Sequence, residues 1–187
     1  MGFYVGGNNI SRKDAEAQRV ELLTRNTMEQ EEVYIDNYPT WLGNDLINDR
    51  LPWEKGLQIS FSEFTTKYTL HDSYWIGLFY DVGNLASVII IINWDAVWLP
   101  DSIVLSTSKV KDWPFLIIKI DKVKEVSTSD YFNDDYPNWS ICDYQIELID
   151  KKYLLVISSC IGGDVEITFS GETTFLALDR DRNILNI

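Results

Sequence analysis

From residue 57 onward the chain is a succession of short β-branched and aromatic runs, the later ones joined by only a few residues each. The runs 141–149, 153–159, 165–169 and 174–178 are separated by Asp150-Lys151-Lys152, by Gly162-Gly163 and by a joint containing Gly171. A parallel pair needs a crossover of about a dozen residues or more, and no joint here supplies one. Successive strands must therefore pair antiparallel. The expected fold class is mainly β, of the α+β kind: an antiparallel curled sheet or partly open barrel with an N-terminal helix.

The individual runs sharpen that expectation. Residues 57, 59 and 61 (Leu57, Ile59, Phe61) alternate as on one face of a strand. Runs 74–80 and 88–92 are apolar at consecutive positions, as in central strands covered on both faces, and Gly83-Asn84 between them supplies a hairpin turn. In 115–126 the inward set Leu116, Ile118 and Ile120 is followed by Val123, so the parity flips near Asp121-Lys122, which predicts a bulge or bend. In 141–149, Cys142, Tyr144, Ile146 and Leu148 share one face, while Asp143, Gln145 and Glu147 point to solvent. Before the strands, Ser11 followed by Asp14 starts a helix expected over 11–26 with a thin apolar stripe of Ala17, Val20 and Leu23. Residues 28–52 are turn-rich, with a helical turn expected near 45–48. The whole, 1–187, is expected as a single domain with its antiparallel β core over 57–187.

Charge limits the partners. Twenty-nine acidic against sixteen basic residues give a formal charge of −13, which repels phosphate backbones and anionic lipid. No nucleic acid and no membrane are expected as partners; a basic protein surface suits the sign, as does solubility alone. The apolar run 87–92 is too short to span a bilayer. The N-terminus lacks a basic segment followed by an apolar one, so a cytoplasmic location is expected, and Cys142 and Cys160, although able to meet across a hairpin, are expected as two buried thiols and not as a disulfide. All five prolines lie within two residues of a tryptophan, and Asp36-Asn37-Tyr38-Pro39 recurs as Asp134-Asp135-Tyr136-Pro137, a repeated turn type.

Chemistry-bearing residue types are few. His71, the single histidine, stands in Thr69-Leu70-His71-Asp72-Ser73, but adjacent residues on an extended chain face opposite ways and cannot align as a hydrolytic triad. Hydrogen bonding of His71 and Asp72 to backbone at the strand entrance is the expected role. Asp179-Arg180-Asp181-Arg182-Asn183 starts like a calcium loop, yet Ile184 replaces the needed glycine, so a charged strand exit laced with Asp–Arg pairs is expected. No metal and no cofactor are expected. Within 127–139, Asp130, Asp134 and Asp135 alternate with Tyr131, Phe132, Tyr136 and Trp139. Acid beside aromatic is interface chemistry, because rings give rigid contact area and carboxylates speed encounter with cations. These seven residues are the candidate binding set; a solvated loop with its rings tucked under the sheet is the plain alternative. A second candidate is a ligand cleft or weak hydrolase site near His71, Asp72, Trp94 and Asp95, where an indole beside carboxylates would suit a sugar or small molecule. Pairing of an exposed sheet edge into a homo-oligomer is a third.

The segment Thr69-Leu70-His71-Asp72-Ser73, followed by a strand, a turn and the run Val88-Ile89-Ile90-Ile91-Ile92-Asn93-Trp94-Asp95, resembles the Leu-His-Asp-Ser hairpin of several small bacterial β-rich families, some of them similar to immunity proteins of polymorphic toxin systems. The resemblance covers a quarter to a third of the chain and carries over no catalytic residue. It implies a bacterial intracellular domain and, at its sharpest, toxin neutralisation. Together with the charge, it gives the leading expectation of a non-enzymatic acidic protein-binding domain.

Overall fold

The computed structural model describes residues 38–81, 87–100, 103, 112–129, 140–160 and 163–187, all within the compact unit Tyr38–Ile187. The candidate binding set at 130–139, the helix over 11–26 and the turn at Gly83-Asn84 lie outside the described residues.

The described chain is mainly β and antiparallel throughout. In order it forms α1 (Thr40–Ile47), β1 (Leu57–Gln58), α2 (Phe61–Thr65), β2 (Tyr74–Asp81), β3 (Ser87–Asn93), β4 (Phe115–Ile120), β5 (Val123–Thr128), β6 (Ile141–Ile149), β7 (Lys152–Ser159), β8 (Asp164–Phe169), β9 (Thr173–Leu178) and β10 (Ile184–Leu185). The strands divide between two sheets that do not close into a barrel. One has the order β1-β9-β4-β3-β2 with β10 also on β9, and the other β5-β8-β7-β6. In the second sheet three hairpin-linked strands are flanked by a fourth, β5, that reaches β6 through a long connection, a Greek key.

Core burial follows from strand parity. Val88, Ile90 and Ile92 of β3, with Leu116, Ile118 and Ile120 of β4, face the second sheet's Leu155, Ile157, Val165, Ile167 and Phe169. The alternate residues Ile89, Ile91, Phe115 and Ile117 form a separate cluster on the outer face with Leu42 of α1 and Leu51. The first sheet is thus covered on both sides, so β3 reads as an unbroken apolar run. β2 was expected to be equally central, but it is the last strand of its sheet, and Phe79 and Tyr80 are 43% and 59% exposed.

The expected parity flip is the passage between sheets. β4 ends in the first sheet, the chain turns through Asp121 and Lys122 (φ 53°), and β5 begins the second with a register shift between Val123 and Glu125. This bend is pinned: Ser87 Oγ donates to Asp121 Oδ1 at 2.7 Å, and Asp121 N–H donates to Glu172 O at 3.0 Å. Gly171 lies so close that a Cβ there would overlap the Asp121 carbonyl. The run 174–178 was expected to continue the meander; instead β9 crosses back beside β4 in the first sheet. The β6–β7 hairpin closes on Asp150-Lys151, both at positive φ, the two-residue turn whose twist matches the strands it joins.

Two helical expectations need correction. Strand pairing stops at Gln58, because Ser60 accepts the Glu63 N–H at 3.1 Å and starts α2. The turn expected near 45–48 is the end of α1, a longer helix that begins at Thr40 after Pro39.

Candidate functional site

The described chemistry gathers at one corner, where the two sheets are joined. Ser73 N–H donates to Leu70 O at 3.1 Å, closing a turn in which Asp72 sits at φ 63°. Leu70 is fully buried and anchors the turn, whose remaining backbone groups reach the second sheet. Asp72 N–H donates to Ile141 O at 2.9 Å and Ile141 N–H to Ser73 O at 2.8 Å, with one further bridge between Tyr74 and Ser140. The Leu-His-Asp-Ser segment is thus a clasp between sheets.

The turn brings His71 and Asp72 together, contrary to the extended geometry assumed for them. His71 Nδ1 lies 2.9 Å from Asp72 Oδ2, and both side chains are about half exposed. The Ser73 hydroxyl does not join them as a nucleophile. It is buried and accepts the Asp95 N–H at 3.0 Å. Asp95 in turn caps the short 3-10 turn Ala96–Trp98 by accepting the Val97 N–H at 2.9 Å. Burial raises the Asp95 carboxyl and the Asp72 carboxylate adds to this, while the Val97 N–H and His71 oppose; the outcome is a pKa pushed up to about 6. Trp94 lies beneath this corner in the core, fully buried, its Nε1–H donating to Thr69 O at 2.8 Å. It offers no face on which a sugar could stack. His71 and Asp72 therefore stand at the surface of this corner, and Asp95 and Trp94 are buried beneath it.

The same corner holds Cys142 and Cys160, both exposed where buried thiols were expected. The pairing of β6 with β7 shifts between Ile141 and Asp143, which makes Cys142 the extra residue of a bulge, and Cys160 follows the last residue of β7. Burial, the Cys142 thiol and the Asp72 carboxylate raise the Cys160 thiol against a hydrogen bond from Ser140, whose Oγ is 3.7 Å from Cys160 Sγ. No cluster of three or more His, Cys, Asp or Glu with metal-holding geometry occurs among the described residues. No helix among them is long and apolar enough to cross a membrane.

A cavity of about 310 Å³ opens elsewhere, between the sheets where α2 leaves β1. Phe61, Ile146, Tyr153 and Phe169 form its apolar wall, with Glu172 and Gln58 among its polar groups. Sequence reading missed it, since its lining comes from five separate stretches, each unremarkable alone.

The strand exit at 179–183 also differs from an exposed charged ladder. Asp179 Oδ1 accepts the N–H groups of Asp181 and Asn183 at 2.9 and 2.7 Å, which curls the loop and sends Arg180 inward. Arg180 lies 4.3 Å from the centre of the Phe115 ring and donates to Trp113 O and Asn93 Oδ1. Arg182 meets the buried Asp45 carboxylate at 2.7 Å, a Coulombic contact outside hydrogen-bond angles. The two arginines tie the turn between β9 and β10 to β3, β4 and α1.

These features define a two-sheet antiparallel β protein with a polar clasp at one corner and a cavity between its sheets. Comparison with protein-family models, with curated proteins and with solved structures returns no match for this chain.

Proposed function

We propose that the chain is a non-enzymatic recognition domain that binds a basic surface on another protein, an acidic module of the kind that neutralises a toxin domain in a bacterial cytoplasm. The observation that carries the reading is the charge of −13 on a scaffold whose core is filled on both faces of one sheet. A carboxylate excess on a rigid surface steers a cationic partner and fixes its orientation. Further support comes from connectivity: segment 130–139, with Asp130, Asp134, Asp135 and its four aromatics, joins the two edge strands of the Greek-key sheet. Ser129 and Ser140 hold its ends, through hydrogen bonds to Asp164 and to Cys160.

The test is coexpression with the product of the adjacent gene. The expected result is a complex that survives gel filtration at low salt and weakens at least about tenfold when Asp130, Asp134 and Asp135 are replaced together by Asn. Capture indifferent to those substitutions, or a neighbour product that does not bind, would end this reading.

A second reading, a small-molecule binding module, is supported by the cavity, whose lining includes neither His71 nor Trp94. An apolar ring bearing a cation fits a wall of Phe61, Tyr153 and Phe169 with Glu172 at hand. Millimolar phenethylamine is expected to raise the Tm of the native chain and to leave the cavity-filling variant Ile146→Trp unchanged. Equal shifts in both, or none in either, would discard it.

A further inference from the structure

We propose that Cys142 and Cys160 are a redox-active pair that closes to a reversible disulfide across the open end of the β6–β7 hairpin. Two neighbouring features of the strand pairing bring them together. Ile141 pairs with Ser159 and Asp143 with Ser158, so Cys142 is left without a partner of its own, and the bulge frees its side chain from strict alternation. Cys160 continues β7 by one residue, its N–H donating to Ser140 O at 2.9 Å. The register sets the two thiols at neighbouring positions beside Ser140, whose Oγ is 3.7 Å from Cys160 Sγ, and the Cys142 thiol is among the groups that raise the Cys160 thiol. Bridging needs Cα atoms within about 7 Å of each other, a span that neighbouring positions on paired strands supply. Both side chains are exposed, so an oxidant in solution reaches them.

The chemistry is thiol–disulfide exchange with a low-molecular-weight disulfide such as oxidised glutathione. One cysteine, as its thiolate, attacks a sulfur of the oxidant; a protein–glutathione S–S bond forms, the oxidant's S–S bond breaks, and one glutathione leaves, taking up the proton. The second cysteine then attacks the protein sulfur of that mixed disulfide, forming the Cys142–Cys160 bond and releasing a second glutathione with the second proton. Two electrons pass from the two protein thiols to the oxidant. Burial and the Asp72 carboxylate disfavour the Cys160 thiolate, so exchange accelerates as pH rises above neutrality. The closed ring spans the whole hairpin and ties the first residues of β6, which carry the clasp to Asp72 and Ser73, to the end of β7.

The experiment treats the full chain with oxidised glutathione at mildly alkaline pH and reads alkylatable thiols, intact mass and Tm, beside Cys142→Ser and Cys160→Ser. The expected result is loss of both thiols in the native chain, a mass lower by two hydrogens, and a Tm raised by about 5 °C, all reversed by dithiothreitol. Each serine variant should instead retain a glutathione adduct with no rise in Tm. Glutathione on both cysteines of the native chain, disulfide-linked dimers, or two thiols still free after a small reference dithiol has fully oxidised would each overturn the proposal.

Discussion

Asp95 is only 6% exposed; its backbone N–H donates to the Ser73 hydroxyl and its carboxyl caps its own 3-10 turn. Its pKa of about 6 exceeds the ordinary 3.8, so the folded chain binds this proton more tightly than the unfolded one. Stability from this group is fully present below pH 4 and is lost as pH rises through 6, by about 2 kcal/mol across the window. Asp95→Asn keeps an oxygen to accept the Val97 N–H and removes the charge. It is expected to be more stable than the native chain at pH 7.5, with the two converging near pH 4, in urea titrations across that range. A native chain that gains stability between pH 4 and 7 relative to the variant would contradict the burial argument. Residues of this kind were only partly legible. Asp72 and Asp95 could be named as chemistry from sequence, but the αL turn that turns His71 onto Asp72 is set by Ile141, seventy residues downstream. Arg180 illustrates the converse, since nothing in an alternating Asp–Arg string signals which arginine a ring of β4 will hold.

Elements were more legible than residues wherever burial is two-sided or the joint is short. The β6–β7 turn follows from Asp150-Lys151, and β3 from an apolar run that only a doubly covered strand supports. Ser60 and Glu63 form a capping signal in plain view, yet the Leu57, Ile59, Phe61 alternation outweighed it. Core membership and sheet membership are different questions, and parity answers only the first. At the bend between β4 and β5 the sequence announces a change of face, while the change of sheet depends on Gly171 admitting the Asp121 carbonyl. Gly171→Ala is expected to lower stability by about 2 kcal/mol or more, since the crowding atoms are backbone and cannot swing away. Denaturant unfolding measures it, and a neutral result would mean that the bend tolerates a wider approach.

At the scale of the molecule, charge and topology make separate contributions. The excess of carboxylates was readable by counting and predicts the salt response of any complex with a basic partner: exposed charges more than about 8 Å apart are largely screened at physiological ionic strength. Capture of the adjacent gene product should therefore fall steeply between about 0.05 and 0.5 M salt, through a slower association rate. Flat salt dependence would assign the contact to apolar groups such as Phe79 and Tyr80 on the edge strand β2. The division into two sheets was not readable, because each local joint is compatible with one curled sheet.

That division gives the sandwich two unlike sides. Along one, covalent chain passes from sheet to sheet at Asp121-Lys122 and a serine, a glycine turn and a backbone bond brace it. Along the other, among the described residues, Asp72 and Ser73 exchange hydrogen bonds with Ile141 from one sheet to the next. Among the described residues, one edge of the paired sheets is thus held by covalent chain and the opposite edge by hydrogen bonds.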